Sequence, residues 1–179
     1  MMFEWLKKSS KQRWPWLMLF LTALSLELAA LYFQYGLDLE PCIQCVYIRA
    51  AVAGIMLAAL LGLMAPANML LRWLGLLGWL ASSIYGFIAA RQLVDIEHII
   101  ADGGFYSCQL FAEFPSWLPL DQWLPAIFEP TGPCGEIDWS FAGASMASWM
   151  QWIFIAYGAV AVLVLLSQWV RINPNPYHG

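Results

Sequence analysis

The chain has 179 residues, 61% hydrophobic and 11% charged, with a formal net charge of −4. A soluble domain is nearer half apolar and a quarter charged. A core of this size cannot bury the surplus, so a water-soluble globule is excluded and lipid is the expected solvent. No basic patch offers a footing for nucleic acid.

The chain starts with Lys7, Lys8, Lys11 and Arg13, and an apolar run of full spanning length follows, about Trp16–Tyr35. No small-residue cleavage site ends it, so it is expected to stay as a first membrane helix rather than leave as a signal. Glu27 falls in its middle. An unpartnered charge at that depth costs about 2.5–3.5 kcal/mol on insertion scales, so an acid there is a functional candidate by default. A protonated acid hydrogen-bonded to a neighbouring helix is the structural alternative. The connection over residues 36–45 ends in Pro41-Cys42-Ile43-Gln44-Cys45.

The second span is about Val46–Met64, with Arg49 one helical turn past Cys45. Position alone leaves Arg49 two readings: it holds a thiolate or the anionic form of a bound acceptor, or it snorkels to headgroups. The third span is about Leu70–Ala90, with Arg72 at the turn before it. Its Gly75, Gly78, Ser82, Ser83 and Gly86 predict close helix packing rather than chemistry.

Residues 91–145 form a long loop that is neither a tight connection nor low-complexity sequence. Pro115-Ser-Trp-Leu-Pro-Leu-Asp-Gln-Trp-Leu-Pro125 gathers Trp117, Leu118, Leu120, Trp123 and Leu124, and predicts a short amphipathic helix in the membrane interface. A small loop core is the alternative. The glycines and prolines around Cys108 and Cys134 keep the backbone out of regular structure there. The fourth span is about Met146–Trp169. Arg171 follows, and the tail Asn173–Tyr177 is expected to be disordered.

Lys and Arg mark the cytoplasmic side. The N-terminal cluster, Arg72 and Arg171 fall on one face of a four-span chain. The long loop carries Asp95, Glu97, Asp102, Glu113, Asp121, Glu129, Glu136 and Asp138 against Arg91 alone. Both termini are therefore expected in the cytoplasm and all four cysteines outside, where disulfides persist. The expected fold is an all-α membrane protein, one integral membrane domain spanning 1–179 with four transmembrane helices. The interfacial helix lies in its second outer loop.

A thiolate, not a thiol, attacks a disulfide, and exchange runs through a mixed disulfide. Two outward-facing pairs in one chain can therefore pass electrons between them. Cys42 and Cys45 have the spacing of a small reactive ring, and the start of the second span beside them favours a thiolate. Three other readings stand at this point. The cysteines can be inert staples, although a Cys-x-x-Cys ring closes too short a loop to stabilise much. They can form a Cys-only zinc site, which the ligand count permits. They can be unpaired and buried. His98 and Arg91, near the outer end of the third span, take no assigned role.

Pro41-Cys42-Ile43-Gln44-Cys45-Val46-Tyr47-Ile48-Arg49 resembles the Pro-Cys-x-x-Cys-x-Tyr-x-Arg signature of the DsbB family of bacterial disulfide-bond formation proteins. The likeness extends to Leu26-Glu27-Leu28, Phe33-Gln34, Phe114 through Asp121, and Phe154-Ile155-Ala156-Tyr157. It implies a four-helix bundle in the bacterial inner membrane that reoxidises a periplasmic dithiol oxidase, DsbA, and passes the electrons to a quinone, ubiquinone or menaquinone, with no metal. Carried over, Cys108 forms the mixed disulfide with the DsbA-like partner, and Cys134 is its disulfide mate. The Cys42–Cys45 disulfide reoxidises the loop pair. Cys45 lies against the quinone ring and carries the thiolate, and Arg49 assists there.

Two departures stand out. Ile48 occupies a position where some members have Glu. A family His near the start of the long loop has no clean counterpart, His98 being nearest by type and Arg91 or Leu93 by position. Related activities with the same parts are an oxidase serving another partner and an enzyme of the vitamin K epoxide reductase type; a scaffold with structural staples would carry no activity.

Overall fold

The computed structural model describes residues 2–106, 114–115, 118–133, 135 and 139–169. A short amphipathic helix, α1 (Met2–Ser9), precedes α2 (Arg13–Gly36), α3 (Ile43–Met64) and α4 (Met69–Ala101). The long loop contributes two single helical turns, α5 (Leu120–Trp123) and α6 (Pro125–Phe128), and a hairpin of β1 (Ser140–Phe141) with β2 (Ala144–Ser145). α7 (Met146–Trp169) completes the chain. The four long helices are each long and apolar enough to cross a bilayer. Their outward faces carry exposed Leu57, Leu74, Leu77, Ile84 and Val160. Stripes of that kind require lipid as solvent, and the chain is a multi-pass membrane protein. The all-α, four-span class expected from composition is the observed one.

Packing runs in an open series, α2 on α3, α3 on α4, α4 on α7, while α2 and α7 barely touch. Small residues make the contacts close, as association in lipid requires. A methyl on Gly86 would land in the ring of Phe154, one on Gly54 would strike the Ser82 hydroxyl, and one on Gly75 would lie 2.9 Å from the Ala58 carbonyl oxygen. Trp16 wedges against Gly62 and Gly75, and its indole N–H donates to the Ser10 carbonyl at 2.9 Å.

α1 closes the series at this end. Lys7 Nζ donates to the Gln168 carbonyl (2.8 Å) and Gln168 Nε2 donates to Ser10 Oγ (3.1 Å). The chain reverses between α3 and α4 at Ala65-Pro66. Asn68 caps α4 by accepting the Leu70 N–H at 2.9 Å, and the buried Arg72 donates back to the Pro66 carbonyl.

α4 continues past Ala90 to Ala101, beyond the apolar segment that marks the third span. Leu93, Ile96 and Glu97 keep it packed on one side, while Arg91 and Asp95 pair at 3.3 Å on the exposed side. In the Pro115–Pro125 stretch the helical content is split in two, because Pro125 has no N–H with which to continue α5 and starts α6 instead. Trp117 lies outside the described residues. The β1–β2 turn uses Ala142 and Gly143, both at positive φ, the two-residue geometry that matches strand twist.

Candidate functional site

α3 starts on the Cys-x-x-Cys motif. Cys42 is its N-cap, extended at ψ 168°, and its sulfur accepts the Cys45 N–H at 3.3 Å. This capping bond places both thiols on one side of the first turn, with the two sulfurs 2.7 Å apart. The Cys45 thiol donates to Cys42 and so holds Cys42 below the ordinary thiol range. The nearby backbone N–H groups act in the same direction against the effect of burial. Cys42 is therefore the easier of the two to ionise in the dithiol form. It is not open to water: only 5% of it is exposed.

The cover comes from the returning loop. Thr131 and Gly132 both donate their N–H groups to the Pro41 carbonyl, at 3.0 and 3.1 Å. Gly132 is needed for that approach, since a β-carbon there would land on the Glu40 carbonyl oxygen. Gly135 lies at φ +82° and rests on Ile96 and Ile100 of α4, where a side chain would find neither the conformation nor the space.

Arg49 sits one turn below Cys45 and is buried. Its guanidinium joins three segments. Nη1 donates to Gln34 Oε1 of α2 and to the Ile127 carbonyl of α6 (3.1 Å), and Nη2 donates to the Ala30 carbonyl of α2 (2.9 Å). Tyr35 Oη donates to the adjacent Ala126 carbonyl at 2.6 Å. Three of five guanidinium N–H groups are thereby used, leaving one on Nη2 and the one on Nε uncommitted among the described residues. Snorkelling to headgroups does not describe this side chain, because its acceptors are protein atoms.

Cys45 and Arg49 face a cavity of about 310 Å³ that Glu27 and Gln34 of α2, Glu97 of α4 and Met150 of α7 also line. Its other walls are mostly apolar. It lies at the gap between α2 and α7, and Ile153 lines both it and a second apolar cavity nearer α1. Glu27 is buried, and among the described residues neither of its carboxyl oxygens is hydrogen-bonded. The helix–helix hydrogen bond that is its structural alternative is not formed with any of them. Glu97 accepts a 2.6 Å hydrogen bond from Ser145 Oγ, which in turn contacts Ser148 Oγ at 3.1 Å.

The structure thus brings together Cys42, Cys45 and Arg49. Cys108 and Cys134 lie outside the described residues, although Pro133 and Gly135, on either side of Cys134, line the same cavity. His98 is exposed. Sequence reasoning had no place for Glu97 beyond its charge. The available signal was the spacing of Leu93, Ile96, Glu97 and Ile100, which continues a helical face beyond Ala90. No three His, Cys, Asp or Glu side chains come together as a metal site among the described residues.

Comparison with known proteins agrees with these features. A family model described as "Disulfide bond formation protein DsbB" matches residues 12–164. Relatives named "Disulfide bond formation protein B" include one from Shewanella frigidimarina, 47% identical over 161 residues (90% of this chain, 94% of the relative). Another, from Pasteurella multocida, is 43% identical over 174 residues (97% of each chain). A third, from Yersinia pestis, is 44% identical over 178 residues (99% of each).

Proposed function

The chain belongs to the DsbB family of disulfide bond formation proteins, and from that premise we propose that it is a thiol:quinone oxidoreductase of the bacterial inner membrane. It reoxidises a DsbA-like periplasmic protein, with both termini in the cytoplasm and the cysteines outside. A partner thiolate attacks Cys108 of the Cys108–Cys134 disulfide, which forms the mixed disulfide and frees Cys134 as a thiolate; the partner's second thiol then displaces Cys108, so the partner leaves oxidised and the loop pair is left as a dithiol. The loop dithiol then reduces the Cys42–Cys45 disulfide by exchange. Both cysteines line the cavity; attack falls on Cys42, beside the Pro41 carbonyl to which the loop is bonded, and frees Cys45, the one a helical turn from Arg49.

One observation carries the reading: a single cavity at the α2–α7 gap is faced by a cysteine of a reactive dithiol and by a buried arginine. Its size suits the head of a small ligand, its walls suit a flat apolar ring, and the two spare N–H groups of Arg49 suit a carbonyl oxygen. A bound quinone supplies a two-electron sink. Arg49 would hold its oxygen, and the apolar walls would keep bulk water from the sulfur. The α5–α6 turns, with exposed Trp123 and Leu124, serve as the interfacial anchor of the loop.

The test is quinol formation by the purified chain with a dithiol donor and a short-tailed ubiquinone. Cys45→Ser should abolish it while leaving the protein inserted; unchanged turnover in that variant rules the reading out. Membrane-impermeant maleimide should label reduced cysteines from the periplasmic side, and labelling from the cytoplasmic side would overturn the orientation.

A further inference from the structure

Each turnover of the proposed reaction moves two protons as well as two electrons. The two S–H bonds of Cys42 and Cys45 break and an S–S bond forms. Two O–H bonds form on the quinone oxygens, giving the quinol. In a water-poor cavity those protons need a carrier between sulfur, oxygen and the outer water. Neither Arg49, which stays protonated, nor the apolar walls can serve.

Three carboxyl groups line the same cavity, Glu27 on α2, Glu97 on α4 and the exposed Glu40 on the connection before α3, and only the first two are buried. Glu27 lies on α2 roughly 13 Å in from the outer end of that helix, taking 1.5 Å per residue. Glu27 is 9% exposed, and both its oxygens lack a hydrogen-bond partner among the described residues. A buried carboxyl without partners is costly to keep for structure alone. Glu97 lies on the outer part of α4 and is joined through Ser145 Oγ to Ser148 Oγ at the start of α7. The charged group acting on Glu27 is Arg49 and the one acting on Glu97 is His98; Glu40 and the Cys42 and Cys45 thiols line the cavity with them.

We propose that Glu27 and Glu97 form the proton route of this cavity. Glu27 gives a proton to the acceptor as the electrons arrive and recovers one from the dithiol, and Glu97 with Ser145 and Ser148 connects the cavity to outer water. The inference rests on the quinone reading above and assigns roles to two acids that reading does not use.

The experiment uses the full chain in lipid nanodiscs, with dithiothreitol as donor and ubiquinone-1 as acceptor. A positioned general acid contributes roughly 10²–10⁴-fold. Glu27→Gln keeps the shape but cannot donate an acid proton, so quinol formation should fall about a hundredfold or more. Trapped reduction of the Cys42–Cys45 disulfide and ubiquinone-1 affinity should stay at wild-type levels. In Glu27→Ala, formate should restore the rate in a concentration-dependent way, a response that lost packing would not give. Glu97→Gln should slow turnover less and abolish its dependence on external buffer concentration. A Glu27→Gln chain within twofold of wild type, or no rescue by formate, overturns the proposal. A wild-type chain that forms no quinol overturns the functional reading itself.

Discussion

Gly132→Ala tests whether the docked loop carries the exchange between the two cysteine pairs. The new methyl would land on the Glu40 carbonyl oxygen, so the loop segment must retreat and the Thr131 and Gly132 hydrogen bonds to Pro41, 3.0 and 3.1 Å long, must lengthen. Two such bonds are worth about 1–3 kcal/mol together. Forcing a methyl into a filled site costs about 1–3 kcal/mol in addition. The lower ends sum to about 2 kcal/mol, a roughly thirtyfold fall in the docked population at 1.4 kcal/mol per decade. The loop pair should therefore reduce Cys42–Cys45 at least about tenfold more slowly, read by acid quench and maleimide gel shift after a pulse of reduced partner. Quinone reduction fed by a small dithiol acting directly on Cys42–Cys45 should not slow. Gly158→Ala, whose methyl would meet only Ser83 Cβ at 3.8 Å, is the control. Transfer at wild-type speed in folded Gly132→Ala would refute the docking argument.

Three further outcomes are expected. In the reduced chain carrying Cys108→Ser and Cys134→Ser, the Cys45 hydrogen bond holds the Cys42 thiol below its ordinary range. Its thiolate should then persist below about pH 8.5, and iodoacetamide labelling should show a midpoint under that value; Cys45→Ala should move the midpoint up, and equal midpoints would exclude this cause. By linkage, a lowered folded-state value adds stability that is present above the unfolded-thiol value and lost as pH falls through the folded midpoint. Arg49→Lys cannot reach the Ala30, Gln34 and Ile127 acceptors and also present donors to the cavity. The loss of one charge-assisted hydrogen bond, about 1.5–3 kcal/mol, should raise KM for ubiquinone-1 roughly tenfold to hundredfold, and an unchanged KM would remove Arg49 from acceptor binding. Gly86→Ala should lower thermal stability by about 1–3 kcal/mol through collision with Phe154, and Phe154→Leu in the same chain should recover part of it; additive losses would contradict the contact.

The four spans were legible because lipid imposes a length and a composition that sequence displays directly. The Cys-x-x-Cys turn was legible because its chemistry is local: the capping bond from Cys45 N–H to Cys42 Sγ needs only consecutive residues. What could not be read is what distant segments bring. The acceptors of Arg49 come from α2 and from the loop turn at Ile127, and no periodicity announces that meeting. The burial of Cys42 is likewise a product of the tertiary fold, since the loop returns to the neighbouring Pro41 carbonyl through Thr131 and Gly132, and no local spacing announces that return. The extension of α4 to Ala101 was hidden by its polar face, since hydropathy falls once one side of a helix leaves lipid. α1 was hidden by its brevity, because a helix of this length is held by its contacts with α7 and not by propensity.

The strap made by Lys7, Ser10 and Gln168 ties the α1 end of the chain to α7, and through the Trp16 bond to Ser10 it reaches α2, so it links two helices that otherwise meet at few points. At the other end of the bundle the same two helices are joined through rings, Phe33 on Trp139 (5.2 Å), Trp139 on Phe141 (6.1 Å) and Phe141 on Trp149 (6.2 Å). The cavity between α2 and α7 is thus laced at both ends, by hydrogen bonds at one and by a chain of rings at the other. Trimming the first nine residues loosens only the first lacing and should raise the exchange of a bound ligand; an unchanged exchange rate would show that the rings alone keep the gap.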